Sequence, residues 1–144
     1  HVIDPISLLQ KLKKLVSPTG IAVITVPNDF SKIQNFLISN NYIDNQFWVS
    51  TPAHLNYFDK SSLVNIFKHT KWTGIEFLAD FPVEWFLFNE NSNYIKNKSL
   101  GKNVHNARIN LENFLQTLPT EKLINFWSAA CDMGIGRNIT AFVK

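Results

Sequence analysis

Cysteine and methionine occur once each in these 144 residues, and glycine only five times. Each scarcity excludes something. A single Cys131 cannot build an internal disulfide framework and suits a reducing compartment, so a cytoplasmic location is expected. No apolar run reaches the roughly 18 residues that cross a membrane as a helix, so no membrane partner is expected. Charge of one sign is also lacking: 14 Lys and Arg stand against 11 Asp and Glu. The lysines are dispersed, apart from KLKK at 11–14 and a looser set from Lys96 to Arg108. Nucleic-acid binders concentrate basic charge on one face, so no nucleic-acid partner is expected. Metal-ligand spacing is missing too, because His54 and His69 stand too far apart in sequence to form a local motif.

What the chain has in quantity is apolar and aromatic: hydrophobic residues make up 45%, and twelve Phe and four Trp give an aromatic-rich domain. One domain of this length buries about two-thirds of its unfolded surface. Asp4-Pro5 marks a helix start, with an N-cap carboxylate followed by a residue that needs no amide donor. Ile6, Leu9, Leu12 and Val16 recur at helical spacing before SPTG stops the run. IAVITV at 21–26 is apolar on both alternating faces, as in a strand inside a covered sheet, and Pro27-Asn28 ends it. DFSKIQNFLIS predicts a short helix capped by Asp29. The stretch from Asn40 to Phe58 is loop-like, with aromatics interleaved among Asn, Pro and His. Asp59 caps a second helix whose apolar stripe is Leu63, Ile66 and Phe67. GIEFLADFP alternates as a strand over 74–81. After an irregular aromatic and Asn-rich segment, helices are expected near 106–118, on Leu111, Phe114 and Leu118, and near 120–133, on Leu123, Ile124, Trp127 and Ala130. NITAFV at 138–143 closes the chain as a strand. The pattern is α/β with parallel character.

The order of these pieces carries a resemblance. HVIDPISLLQKLKKLVSPTGIAVITVPN looks like the second half of a class I S-adenosylmethionine-dependent methyltransferase, where a strand ending in an acidic residue and His leads through DP, an amphipathic helix and a turn to a strand ending PN. FWVSTPAHLNYFDKSSLVNIFKHTKWTGIEFL continues the likeness with a Trp, a P-x-H-L-x-x-F run, a capped helix and a strand. The resemblance covers residues 1–82 and returns at the last strand; 83–134 reads as an aromatic and helical insert. SPTG and TKWTG depart from the family's usual turns. The Gly-rich turn and the ribose-binding acidic residue have no counterpart, and GIGR at 134–137 follows a helix, its glycines reading as caps. The resemblance therefore implies that His1 follows the family's fourth strand and that the nucleotide-binding half lies upstream. It implies a three-stranded part of a Rossmann-like sheet, with 138–143 antiparallel between 21–26 and 74–81. It also implies an open face and edge, to be met by helices 106–133, by a second copy pairing along 21–26 as a homodimer, or by further chain.

Open α/β sheets bind ligands beyond the carboxyl ends of their strands. That rule, with the resemblance, makes His1 and His54 the candidate catalytic residues, since methyl transfer calls for a base near neutrality. Asn28, Trp48 and Tyr57 are the candidate substrate-binding residues. The implied cofactor is S-adenosylmethionine, bound by the complete protein and not by this chain alone. The implied acceptor is a small or sugar-like molecule. The alternative is a non-catalytic protein-interaction module built on a truncated methyltransferase fold. Cys131 is expected to be a buried small hydrophobe, and His69 and His105 surface residues.

Overall fold

The computed structural model describes residues 1–144. Helix α1 (Pro5–Leu15) begins as the sequence predicts: the Asp4 side chain accepts from the Ser7 amide, and Pro5 opens the first turn. Strand β1 (Ala22–Pro27) leads to α2 (Lys32–Ser39), then to the irregular loop and α3 (Lys60–His69). Strand β2 (Glu76–Ala79) follows, then three short 3₁₀ turns between Val83 and Leu100, helices α4 (Gly101–Leu115) and α5 (Thr120–Asp132), and strand β3 (Asn138–Val143).

The three strands form one sheet in the order β1-β3-β2, with β3 antiparallel to both neighbours. β1 and β2 are therefore parallel to each other, as expected for two strands joined by a crossover helix. Register divides the sheet into unlike faces. Ala22, Ile24, Val26, Phe77, Ala79, Ile139, Ala141 and Val143 share one side, because directly paired residues point the same way. Against that side pack Leu9 and Leu12 from α1 with Val16 just after it, Leu63, Ile66 and Phe67 from α3, and Trp127, Ala130 and Cys131 from α5. Lys60 and Asp132 form an ion pair joining the start of α3 to the end of α5.

Helix α5 thus joins the covered face, and the other face is left open. Val23 there is 59% exposed, and Thr25 and Thr140 meet through their hydroxyls at 2.9 Å. Of the three alternatives for the open face, cover by helices 106–133 is not what forms, because Ala130 and Cys131 are drawn into the cluster around Phe77 and Ala79. The outer edge of β1 has no partner strand in the chain.

Two local readings need correction. Helix α2 is capped by Ser31, not Asp29: Ser31 and Gln34 form a reciprocal capping box. Phe30, at φ 55°, turns the backbone between Asp29 and the helix and takes the Asp29 side chain out of capping reach. The helix expected near 106–118 forms as α4 but starts at Gly101 and ends at Leu115, and its expected stripe faces water: Leu111 and Phe114, with Leu118 beyond its end, are 44%, 59% and 39% exposed. A smaller second core of Ile33, Leu37, Ile43, Trp48 and Leu87 holds α2, the loop and the first 3₁₀ turn together. Cys131 is buried, and His69 and His105 are exposed, as expected. No helix is long and apolar enough to cross a membrane.

Candidate functional site

The carboxyl end of β1 is fixed from two directions. The Asn28 amide donates to the Arg137 carbonyl at 2.9 Å, and the Asp29 amide donates to the Phe58 carbonyl at 2.8 Å. The second bond draws the end of the irregular loop onto the strand end, so residues far apart in sequence converge there. His1 and His54 meet edge to face, with ring centroids 5.1 Å apart. A ring chain continues from His54 to Tyr57 at 6.2 Å, from Tyr57 to Phe30 at 5.8 Å, and from Phe30 to Trp48 at 5.8 Å.

Beside this chain a cavity of about 280 Å³ opens between α1, β1 and α3. Its walls are aliphatic and aromatic, including Leu9, Ile24, Val26, Leu63 and Phe67. Its polar members are His1, Asp29, His54 and Asn56. Of the five residues singled out in sequence, His1 and His54 line this cavity. Asn28 is buried and donates its side-chain amide to the Gly136 carbonyl. Trp48 sits in the second core, and the Tyr57 hydroxyl accepts from the Ser50 amide. These three support the site from behind and do not line the cavity.

Sequence reasoning assigned Asp29 to a cap and so missed its place in the site. The residue is 3% exposed. Burial raises its carboxyl above the usual carboxylate range, against the opposing pull of Arg137 and His54. An acidic residue two positions past the carboxyl end of a parallel strand was the available signal.

A second buried carboxylate stands nearby. Glu84 is fully buried; its Oε1 accepts from Gln34 Nε2 at 3.2 Å and from Arg137 Nη1 at 3.4 Å, while its Oε2 has no partner. Burial raises the Glu84 carboxyl, and burial followed by the Glu84 charge pushes the Tyr94 phenol up to about 12. Arg137 thus acts on both buried carboxylates from one position at the start of β3.

A carboxylate and two imidazoles around an apolar cavity are equipped to accept and return a proton. No three His, Cys, Asp or Glu side chains are placed to hold a metal ion. An adenosine cradle does not fit the residues present: Gly20 and Gly74 precede strands, Gly101 opens α4 after a 3₁₀ turn, and Gly134 and Gly136 lie between α5 and β3, so none forms a turn from a strand's carboxyl end into a helix. No protein-family model, curated protein or solved structure matches the chain.

Proposed function

We propose that this chain supplies the acceptor side of an S-adenosylmethionine-dependent methyl transfer to a small-molecule or sugar-like acceptor. In this reading it is the C-terminal portion of a methyltransferase domain, and the cofactor is held by chain outside these residues. One observation carries the proposal: the sheet order β1-β3-β2, with the last strand antiparallel between two mutually parallel ones, is the ending expected from the resemblance. The proton-accepting groups stand where such sheets bind their ligands, beyond the carboxyl end of β1. His54, half-buried at the cavity, takes the proton an acceptor loses on methylation, and His1 closes the rim beside it. The apolar walls exclude water from the reacting atoms.

A second reading, a protein-interaction module, has its own support. Phe114, Leu118, Ile124 and Phe126 are exposed along α4, α5 and their junction, and Val23 lies bare on the open sheet face. Exposed apolar side chains of this kind are available to a partner surface. The free edge of β1 is where a second copy would pair in a homodimer.

Titration calorimetry with S-adenosylmethionine separates the readings. This chain alone is expected not to bind the cofactor, and protein extended upstream of His1 is expected to bind it. Absence of binding by the extended protein would reject the methyltransferase reading in favour of the module. Micromolar binding by this chain alone would show that the cofactor site had been misplaced.

A further inference from the structure

We propose that the cavity between α1, β1 and α3 takes a small ligand with an apolar body and a hydrogen-bond-donating head, an amine or a hydroxyl, which the Asp29 carboxylate receives. This rests on the reading of the cavity as an acceptor site, and it narrows the acceptor from small or sugar-like to the first of these.

The Asp29 carboxylate is the telling group. Its residue is 97% buried, being 3% exposed, yet the carboxylate accepts no hydrogen bond from the chain. The roles that usually explain a buried carboxylate are filled by others. Capping of α2 belongs to Ser31. The guanidinium of Arg137 is engaged with Glu84. The His54 ring, although its charge is felt at Asp29, makes no ion pair with it within 4.0 Å. The backbone is pinned by the bond to Phe58, so the side chain is held where it borders the cavity. The Asp29 oxygens are not sealed in the interior as Glu84 Oε2 is; they open on the cavity, so a donor must reach them from whatever fills it. A ligand that brings such a donor gives the carboxylate the partner the chain does not supply.

The walls specify the rest. Leu9, Leu63 and Phe67 offer no hydrogen-bonding partner to the several hydroxyls of a sugar, and each hydroxyl buried against them would lose its water without replacement. A carbon ring or branched chain loses nothing there. The volume, about 280 Å³, is about twice the ~150 Å³ of an apolar cavity that binds benzene. A ring with a short functional tail fits.

The test uses four probes of one shape on the purified chain: 2-phenylethylamine, 2-phenylethanol, phenylacetate and ethylbenzene. Binding is followed by the methyl resonances of Leu9, Val26 and Leu63. The amine and, less tightly, the alcohol are expected to shift these methyls saturably, with phenylacetate at least tenfold weaker than either and ethylbenzene in between. Asp29→Ala is expected to abolish the preference of the two donors over ethylbenzene. The isosteric Asp29→Asn, which preserves the fold if the alanine variant does not, is expected to abolish the preference of the amine over the alcohol. Phenylacetate binding as tightly as the amine, an unchanged preference in both variants, or no shift at these methyls would overturn the proposal. The two levels fail separately. Donor-selective binding in a protein that transfers no methyl group leaves this inference standing and removes the methyltransferase reading. Methyl transfer to sugars with phenylethanol unbound does the reverse.

Discussion

The side-chain amide of Asn28 donates to the carbonyl of Gly136 at 3.1 Å, across 108 positions of sequence. Together with the Asn28 amide bond to Arg137, it clamps the carboxyl end of β1 to the chain entering β3. The clamp orders both sides of the candidate site: Asp29 follows Asn28, and Arg137 follows Gly136. A residue that sequence marked for substrate binding is thereby a structural tie one position from the cavity.

The clamp depends on a glycine. Gly136 has φ 128°, and a Cβ there would stand 2.7 Å from the Ala79 Cβ, with the Asn138 and Asp80 carbonyl oxygens both at 3.3 Å. Gly136→Ala is expected to destabilise the chain by about 1–3 kcal/mol from backbone strain alone, before the contact with Ala79 is counted. Urea unfolding checks this, with Gly101→Ala as the control, since a Cβ at Gly101 meets nothing within 4 Å. Equal midpoints for the two variants would contradict the clamp.

His54 is placed to act without carrying the fold. The rings it meets are those of His1 and Tyr57, edge to face, and its side chain takes part in no hydrogen bond of the chain. In an active, longer protein, His54→Ala is expected to reduce turnover by about a hundredfold or more, as for loss of a general base. Stability should change by less than about 1 kcal/mol. A large loss of melting temperature with activity intact would reassign His54 to structure.

How much of this was legible in the sequence follows from what each feature depends on. Asp4-Pro5, IAVITV and the Asp59 cap are signalled within a few residues, and each forms the expected element. The strand order was expected from the resemblance, and the helix between 21–26 and 74–81 agreed with it by making those two strands a crossover pair. The Asp29 site was not. Its position requires the left-handed Phe30, the Ser31–Gln34 box and the Phe58 carbonyl at once, and only the first two are near in sequence. The α4 stripe misled for the opposite reason. Helical periodicity at Leu111 and Phe114 signals an apolar face, but cannot say that nothing within this chain packs against it.

Burial of Asp29 has a consequence for the dependence of stability on pH. Its folded pKa is raised, by burial first and against Arg137 and His54, so the folded state holds the proton more tightly than the unfolded state. Stability from this group is present below the unfolded value near 3.8 and is lost as pH rises through the folded pKa. Asp29→Asn removes that loss. The variant is expected to melt higher than the parent at pH 7, with the difference shrinking as pH falls toward 4. Calorimetric melting across that range measures it. A variant less stable than the parent at pH 7 would mean that the carboxylate has a stabilising partner.

Glu84 is fully buried, and Arg137, its one cationic partner at 3.4 Å, keeps 31% of its side chain exposed. Truncating the partner of a buried charge costs about 3–5 kcal/mol, chiefly because the remaining charge is left without compensation. With Arg137 partly in water, Arg137→Ala is expected at the lower end, about 3 kcal/mol. Glu84→Gln leaves an uncharged acceptor for Gln34 Nε2 and no charge for Arg137 to balance. In that background Arg137→Ala should cost less than about 1 kcal/mol, so the double-mutant cycle yields a coupling near 2 kcal/mol. The cycle also tests the link to Tyr94, whose phenol is held up by burial and then by the Glu84 charge. Glu84→Gln should bring the Tyr94 titration down from about 12, read by absorbance at alkaline pH. Additive stability effects and an unmoved tyrosine titration together would mean that Glu84 is buried in its neutral form, and that Arg137 serves the site through Asp29 alone.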